Sequence, residues 1–381
     1  MPRHFPLRDL PGWSCAVAAA AGPFRFWGGI VQDRPGGGMS TGLVGVDVVW
    51  VVLGAIAVVP LLLMLLEVGY RVIKPSVPLQ GTHVIVVGGS TGIGLSMAIQ
   101  AAKERARAIT LVSRSQEKLQ AARQAVLASA ADPGCAVDTI SADATNFKTM
   151  AVAIDSAVQT HGPPDYLICA AGASHPGYFL QQPVETFRDS MELNYMGTVV
   201  CLKAAVPHMA AVRQGHCILI SSGAGLSGWL GYSSYSPTKF AIRGLAEALR
   251  NELTGFNIKV SIAYPPDTDT PGFEHENKTK PVETVEMLPP STYSPAMVAS
   301  YIWYSVGKGD FNCSCPDLIQ DFLIALMSGV TPRRMYIFDA IMHPIMLIVA
   351  TVFRWNADRI SSAYPKRIEG SPVSTDTLKM H

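Results

Sequence analysis

The 381-residue chain has no excess of charge of either sign, no paired cysteine pattern and no internal repeat. Its formal net charge is +1, whereas nucleic-acid-binding domains carry a clustered basic excess, so we expect no nucleic-acid partner. The seven cysteines are scattered, and only Cys313 and Cys315 lie close together, without the second pair that a zinc site needs. We therefore expect no metal site and reduced thiols in a cytosol-facing domain.

Charged residues are also absent from Val48 to Leu66. This apolar run approaches the roughly 20 residues that an α-helix needs to cross a bilayer. It is longer than the roughly 7–15-residue apolar region of a signal peptide, and no cleavage site follows it. We predict a transmembrane anchor over 43–67. Basic residues flank the anchor on both sides, so the positive-inside rule leaves its orientation open.

The segments beside the anchor have a different composition. Residues 1–42 are rich in Gly, Pro and Arg and are expected to form a disordered or targeting extension, with Met39 as an alternative start of translation. Residues 68–80 contain Lys74-Pro-Ser-Val-Pro78, and two prolines close together favour a stiff, extended linker.

From residue 81 onward, short apolar runs alternate with helical segments such as Ser115–Ala130 and Phe147–Gln159. The runs predict six buried strands, at about 83–88, 108–113, 137–142, 165–170, 216–222 and 258–264. This alternation predicts an α/β fold with a doubly wound parallel sheet, the Rossmann fold, over 81–310.

A second apolar region lies in the C-terminal extension, 311–381. Its halves, Leu318–Val330 and Tyr336–Phe353, are separated by Pro332-Arg333-Arg334, and polar residues interrupt both. Neither half predicts a membrane span on its own. A membrane-associated helical hairpin and a helical cap over the substrate are the two arrangements that the sequence favours for 318–353.

A glycine-rich turn stands at the first predicted strand–helix junction. Its spacing is G-x-x-x-G-x-G, and its position at this junction is the context that a dinucleotide-binding turn requires. The glycines allow a tight turn, close approach of the backbone to a pyrophosphate and close helix–strand packing. The free N–H groups of the helix N-terminus favour the bound anion. The predicted contacts are Gly88, Ser90, Thr91, Gly92, Ile93 and Gly94.

The end of the second predicted strand indicates which dinucleotide binds. Arg114 stands where NAD-dependent enzymes carry an acidic residue for the ribose diol, and an arginine there pairs with the 2′-phosphate of NADP(H). Lys118 lies four residues on and reaches the same face. Asp143, after the third strand, is placed to accept a hydrogen bond from the adenine amine. We therefore predict NADPH; a solvated surface arginine is the alternative interpretation.

A serine, a tyrosine and a lysine are spaced for proton transfer. Ser222 ends the fifth predicted strand, Tyr235 follows thirteen residues later, and Lys239 lies one helical turn further on. We expect the ammonium of Lys239 to lower the pKa of the Tyr235 phenol, which donates a proton to a carbonyl oxygen as hydride reaches the carbon. Ser222 is expected to hydrogen-bond that oxygen. The set predicts an oxidoreductase that interconverts a ketone and an alcohol.

Over about residues 80–270 the chain resembles the short-chain dehydrogenase/reductase family in its glycine turn and in four side chains, Asn194, Ser222, Tyr235 and Lys239. It is more closely similar to the 3-ketodihydrosphingosine reductases in its apolar anchor and in the runs 235–249, 263–273 and 276–281.

This resemblance implies NADPH-dependent reduction of 3-ketosphinganine, a long-chain keto base, to sphinganine at the endoplasmic reticulum membrane, with the catalytic domain facing the cytosol. It also implies that Asn194 holds a water that relays protons to Lys239, and that Thr270 contacts the nicotinamide carboxamide. Two other functions stay open: a membrane-bound steroid or retinol dehydrogenase, and an inactive membrane-tethered NADP-binding protein. Whether the protein forms a homo-oligomer also stays open.

Four further positions carry hypotheses. Asp267 or Asp269 is a candidate partner for the ammonium of the keto base, with capping of the next turn as the alternative. Asn277 and Asn312 lie in glycosylation sequons. On a cytosol-facing domain we expect neither asparagine to be modified.

Overall fold

The computed structural model describes residues 42–288 and 291–362, and the chain divides into two units after Ile56. The described part of the first unit belongs to helix α1 (Gly42–Ile73), which continues into the second unit. Within the second unit, the leucines at 61–66 have exposed side chains. The helix includes the first six residues of the predicted linker, 68–73, because the prolines that end it come later.

The second unit contains a sheet of six parallel strands in the order β3-β2-β1-β4-β5-β6. The strands are β1 (His83–Val87), β2 (Ala108–Ser113), β3 (Ala136–Ser141), β4 (Tyr166–Cys169), β5 (Gly215–Ile220) and β6 (Ile258–Ala263). Their bounds confirm the predicted Rossmann fold, because strands that are buried on both faces appear as continuous apolar runs. The strand order reverses between β1 and β4, which is where open α/β sheets bind ligands.

Helices cover both faces of the sheet. They are α2 (Gly92–Lys103), α3 (Gln116–Ser129), α4 (Phe147–His161), α5 (Val184–Met191), α6 (Gly197–Val212), α7 (Ser236–Thr254), α8 (Pro271–Asn277), α9 (Val282–Met287) and α10 (Pro295–Lys308). One core layer contains residues of α2, α3 and α10, whereas the other contains residues of α4, α6 and α7. Alternate residues of β1 enter the two layers, so the sheet is buried on both sides.

Within the second unit, the last turn of α1 and the residues that follow it contact the C-terminal end of α10. The Arg71 guanidinium donates to both carboxylate oxygens of Asp310, at 3.0 and 2.5 Å. The Lys74 ammonium donates to the backbone oxygen of Lys308 at 2.5 Å, and the Lys308 ammonium donates in return to the backbone oxygen of Lys74. Val77 N–H bonds to the Gly307 carbonyl at 3.0 Å. The proline-containing segment, predicted as a linker, is therefore packed on the domain.

Two helices follow α10: α11 (Leu318–Met327) and α12 (Tyr336–Ser361). At 26 residues α12 is longer than the predicted segment, because the helix continues past Phe353 to Ser361, and Pro344 lies inside it without ending it. The carboxylate of Glu67 accepts the N–H groups of the first three α12 residues at 2.6–3.1 Å. This contact joins α1 to the N-terminus of α12, where the helix dipole favours a negative charge.

Two segments of the described chain are long and apolar enough to cross a membrane, by length and composition alone. The first, Val184–Val212, is 44% buried and contributes to the core beside the sheet. The second is α12, which is only 11% buried. Only α12 of these two therefore presents a largely uncovered apolar surface.

Candidate active site

The carboxyl ends of the strands surround a cavity of about 870 Å³. A cavity of this size lies in the upper part of the range for small-molecule sites. All the predicted site residues except Asn194 line it: Gly88, Ser90, Thr91, Gly92, Ile93, Gly94, Arg114, Lys118, Asp143, Ser222, Tyr235, Lys239 and Thr270. The fold therefore brings together positions that are separated by more than 180 residues in the sequence.

The glycine turn has the geometry that a dinucleotide requires. Gly88 has φ +85°, and a Cβ there would lie 2.5 Å from the backbone nitrogen of Ala171. A Cβ on Gly94 would lie 2.4 Å from the Gly88 oxygen. Thr91 precedes α2 in an extended conformation, and its side chain makes no capping hydrogen bond. The Thr91 side chain thus does not accept hydrogen bonds from the first N–H groups of α2. These N–H groups can instead donate to a pyrophosphate.

Basic and acidic side chains lie at the far end of the same cavity. Arg114 and Lys118 are exposed and line it beyond the end of β2. The carboxylate of Asp143 accepts hydrogen bonds from the backbone and hydroxyl of Thr145, both at 2.9 Å. These bonds and the nearby Arg114 charge lower the pKa of Asp143. Asp143 is therefore an ionised acceptor beside the Arg114 cation, a combination that suits an adenine amine and a 2′-phosphate.

Ser222, Tyr235 and Lys239 lie together at the end of β5. Tyr235 precedes the first residue of α7, as predicted, and Lys239 follows within the first turn of that helix. The Lys239 ammonium donates to the backbone oxygen of Ile220 at 3.1 Å and lies 5.5 Å from the centre of the Tyr235 ring. The Ser222 hydroxyl accepts from Ala224 N–H at 3.2 Å, which orients it at the end of the strand.

The expected lowering of the Tyr235 pKa by Lys239 was wrong for the chain's own residues. Burial raises the pKa of the Tyr235 phenol, and the Glu276 carboxylate raises it further, whereas a hydrogen bond with Ser222 opposes the rise. Lys239 is itself buried, and loss of hydration lowers the pKa of its ammonium to about 8. Tyr235 is consequently protonated at neutral pH, the form that a proton donor needs.

Asn194 lies behind the cavity wall. It occupies a π-helical turn, Glu192–Met196, between α5 and α6, and such turns are frequent at functional sites. Its side chain is fully buried, accepts from Ala173 N–H at 2.8 Å and donates to Ala173 O at 2.9 Å. It also donates to Thr238 Oγ at 3.2 Å. Asn194 thus fixes the backbone after β4 against the helix that carries Lys239.

Thr270 lies opposite the glycine turn. It precedes α8, and its hydroxyl caps that helix by accepting from Phe273 N–H at 3.1 Å. A Cβ on Gly92 would lie 3.0 Å from the Thr270 methyl group, so the two residues are in close contact across the cavity. The position is consistent with the predicted contact to the nicotinamide end of a cofactor.

The sequence interpretation missed a polar group beside Tyr235. Tyr232 donates a hydrogen bond to Glu276, and the Lys280 ammonium lies 3.4 Å from Glu276 and 3.6 Å from Asp267. Tyr232, Asp267 and Glu276 line the cavity, whereas Asp269 does not. The i, i+4 spacing of Glu276 and Lys280 was the available signal, but their approach to Asp267 depends on the tertiary fold.

The opposite end of the cavity is apolar and is formed partly by the C-terminal helices. Leu323 of α11 and Phe353 of α12 line it together with Trp229. The rings of Trp229 and Phe353 meet edge to face at 5.2 Å. Arg354 donates to the Ser227 hydroxyl at 2.9 Å, so α12 is attached to the loop between Ser222 and Tyr235. Contacts of this kind are expected for a helical cap, one of the two arrangements that the sequence left open for 318–353.

Comparison with known proteins agrees with this geometry. The family model for short chain dehydrogenase matches residues 82–281. A 3-dehydrosphinganine reductase of Danio rerio is 41% identical over 72% of this chain and 83% of its own length. A 3-ketodihydrosphingosine reductase of Dictyostelium discoideum is 36% identical over 76% of this chain and 91% of its own. A 3-ketodihydrosphingosine reductase of Bos taurus is 40% identical over 69% of this chain and 79% of its own length.

Among solved structures, a short-chain type dehydrogenase/reductase from Mycobacterium ulcerans superimposes with a TM-score of 0.54 at 26% sequence identity. The similarity covers 59% of this chain and 82% of that protein. The matched family model, the relatives and the arrangement of Ser222, Tyr235 and Lys239 agree, and the chain belongs to the short-chain dehydrogenase family.

Proposed function

We propose that this protein reduces 3-ketosphinganine to sphinganine with NADPH. The observation that carries the proposal is one cavity that joins a dinucleotide-type glycine turn, the Ser222–Tyr235–Lys239 set and an apolar end formed by α11 and α12. The names of the relatives support the choice of substrate, since several are 3-ketodihydrosphingosine or 3-dehydrosphinganine reductases.

The residues of the cavity indicate how a nicotinamide dinucleotide is held. When bound, it supplies the hydride. The α2 N-terminus and the glycine turn hold the pyrophosphate, and Thr270 contacts the carboxamide at the nicotinamide end. Arg114 and Lys118 bind the 2′-phosphate, which favours NADPH over NADH, and Asp143 accepts from the adenine amine.

The chain's own contribution to the reaction is proton transfer and positioning. Tyr235 donates its phenolic proton to the ketone oxygen, while the Ser222 hydroxyl hydrogen-bonds that oxygen. Lys239 is an ammonium below about pH 8, and its charge stabilises the tyrosinate that is left behind. Asn194 keeps the backbone after β4 and the α7 helix in register. By the family resemblance it would also hold a water that returns a proton through Lys239.

The membrane part of the proposal is an anchor over 43–67 in the endoplasmic reticulum, with the catalytic domain in the cytosol. The exposed leucines at 61–66 support the anchor, because leucine side chains are favourable in lipid. The described cysteines are free, which suits a reducing compartment. A lipid substrate with a long alkyl chain gives a reason for anchoring the enzyme at a membrane.

The test is turnover by the purified full-length protein in detergent with NADPH and 3-ketosphinganine, with sphinganine measured by mass spectrometry. We expect sphinganine from the wild type, and a loss of at least about 100-fold in Tyr235→Phe, because general acid catalysis contributes about 10²–10⁴-fold. Tyr235→Phe should still bind NADPH. Wild-type protein that binds NADPH and reduces steroid or retinoid carbonyls, but not 3-ketosphinganine, would contradict the proposal.

A further inference from the structure

A mixed polar cluster lies on the cavity wall next to the proton donor. Its members are Tyr232, Asp267, Glu276 and Lys280. The rings of Tyr232 and Tyr235 are 6.0 Å apart, and the Tyr232 hydroxyl donates to the Glu276 carboxylate. The Lys280 ammonium lies between the two carboxylates and 4.5 Å from the centre of the Phe273 ring. Tyr232 therefore connects Glu276 to Tyr235, the tyrosine that is proposed to protonate the ketone.

The charges within this cluster do not balance. Two carboxylates face one ammonium, so these side chains carry one negative charge in excess. The Glu276 carboxylate is 14% exposed and the Lys280 side chain 7%, whereas the Asp267 side chain is 35% exposed, so water screens the charge of Glu276 less than that of Asp267. Burial raises the pKa of Asp267, the Lys280 charge lowers it, and the Glu276 charge raises it again, so Asp267 is harder to ionise beside Glu276. A bound cation would offset this cost.

A second polar group indicates that a ligand occupies this wall. Ser174 lines the cavity and is 8% exposed, and in the described part of the chain its hydroxyl has no hydrogen-bond partner. Buried hydroxyls in native proteins are normally paired. The next residue, His175, meets His275 edge to face at 5.9 Å, so Ser174 adjoins the segment that carries Glu276. A polar ligand would give the Ser174 hydroxyl a hydrogen-bond partner and offset the excess charge of the cluster around Glu276.

We infer that Glu276, supported by Asp267, binds the ammonium of an amphiphilic amino ketone whose carbonyl lies at Tyr235. The inference rests on the proposed function and deepens it, because it names the residue that selects an amino ketone. In such a substrate the ammonium is on the carbon next to the carbonyl, so its partner must lie close to Tyr235. The alkyl chain then extends toward Trp229 and Phe353 at the apolar end.

This assignment changes the earlier hypothesis of an aspartate partner. Asp269 does not line the cavity, and its N–H is bonded to the Tyr293 carbonyl. Asp267 contributes charge, but Glu276 acts more strongly on the Tyr235 phenol. A steroid or retinoid carbonyl has no ammonium, so an excess negative charge at this position would give such a substrate no benefit.

The first test compares two ketones of equal chain length with NADPH: 3-ketosphinganine and its analogue with hydrogen in place of the amino group. Glu276→Gln keeps an oxygen that accepts from Tyr232 but removes the charge. We expect kcat/KM for the amino ketone to fall about 30-fold or more, because charge-assisted hydrogen bonds contribute strongly. Any change in the acidity of Tyr235 acts on both ketones, so the loss for the deaminated ketone should be at least about tenfold smaller than the loss for the amino ketone.

Glu274→Gln is the matched control, since Glu274 is exposed on the same helix and does not line the cavity. It should leave both ketones unchanged. An equal loss for both ketones in Glu276→Gln would show a merely structural role and overturn the inference. An unchanged kcat/KM for the amino ketone would overturn it as well.

A binding measurement separates this inference from the proposed function. Hexadecylamine and hexadecanol, presented in the same detergent micelles, are titrated against the NADPH-bound wild type and Glu276→Gln. We expect the wild type to bind the amine at least about tenfold more tightly than the alcohol, and the variant to lose that preference. This result is independent of turnover. Equal affinity of the wild type for amine and alcohol would overturn the inference, even if 3-ketosphinganine is reduced.

Discussion

At the scale of single residues, Lys239 carries the charge on which the proposed proton transfer depends. Burial favours its neutral form and lowers its pKa to about 8, whereas burial keeps Tyr235 protonated well above that pH. The ammonium is thus present below about pH 8 and lost above it. We expect kcat/KM for ketone reduction to be level below about pH 8 and to fall about tenfold per pH unit above it.

Lys239→Arg is the control for this pH profile, because a guanidinium stays charged throughout the range. The residual activity of that variant should show no decline near pH 8. A decline at the same pH in both proteins would mean that another group titrates, and the role given to the Lys239 charge would be wrong.

Arg114 provides the second prediction at this scale. Replacing it with serine removes the cation beside Asp143 and the predicted partner of the 2′-phosphate. We expect Arg114→Ser to weaken NADPH binding by about 10–100-fold, since hydrogen bonds to charged groups are worth about 1.5–3 kcal/mol. NADH binding should change by less than about threefold. Fluorescence titration of both cofactors measures the two affinities.

Lys148→Ser is the matched control for the loss of one positive charge, because Lys148 is exposed on α4 and does not line the cavity. It should bind both cofactors as the wild type does. If Arg114→Ser weakens NADPH and NADH equally, Arg114 contributes general positive charge and the preference for NADPH has another origin.

The identity of the site residues could be predicted from the sequence, but the shifts in their pKa values could not. Ser222, Tyr235 and Lys239 lie close in the chain, and strand and helix periodicity place them on adjoining element ends. The upward shift of the Tyr235 pKa depends on burial and on Glu276, which is 41 residues away and meets it only through the fold. Local spacing carries no information about either contribution.

At the scale of secondary-structure elements, the strands and the start of each C-terminal helix were predictable, whereas the packing of the C-terminal helices was not. A strand buried on both faces is visible as an apolar run, so all six strands lie close to their predicted bounds. The position of α12 depends on Glu67 and Ser227, which lie 269 and 127 residues from their partners. Contacts at such separations have no local signature. The π-helical turn at Asn194 was missed for the same reason.

The ion pair between Arg71 and Asp310 fixes the end of α1 to the catalytic domain. Its side chains are 15% and 8% exposed, so breaking the pair leaves a poorly hydrated charge. We expect a double-mutant cycle of Arg71→Ala and Asp310→Ala to give a coupling of about 1–3 kcal/mol in the free energy of unfolding. Denaturant unfolding in detergent measures it.

The exposed pair Arg188–Glu185 is the control for that cycle. Its side chains are 72% and 64% exposed, and surface pairs of this kind contribute about 0–1 kcal/mol. A coupling between Arg71 and Asp310 no larger than the control value would mean that the ion pair does not hold α1, and that the neighbouring lysine–carbonyl contacts do so instead.

At the scale of the whole molecule, the contacts of α12 bear on whether it crosses the membrane. Its N-terminal N–H groups bond to Glu67, and Phe353 and Arg354, toward its other end, contact the loop beside the active site. Because α12 contacts the end of the anchor at Glu67 and the loop beside the active site at Ser227, we expect it to stay on the side of the membrane where the domain lies. The apolar, 11%-buried α12 is therefore expected to lie along the membrane surface beside the opening of the cavity.

Glycosylation of the native and added sequons tests this topology in cells. Asn312 is 4% exposed and donates to Thr331 at 3.0 Å, so the folded chain hides it in either compartment, whereas exposed Asn277 reports where the domain lies. We expect no glycan on Asn277, and none on a sequon appended after His381, because α12 is expected to stay on the cytosolic side of the membrane. A sequon appended before Met1 should be glycosylated, since one anchor then separates it from the domain. Glycosidase-sensitive shifts on gels measure all three.

A glycan at the C-terminal sequon would show that α12 spans the bilayer, and one on Asn277 would place the active site in the lumen.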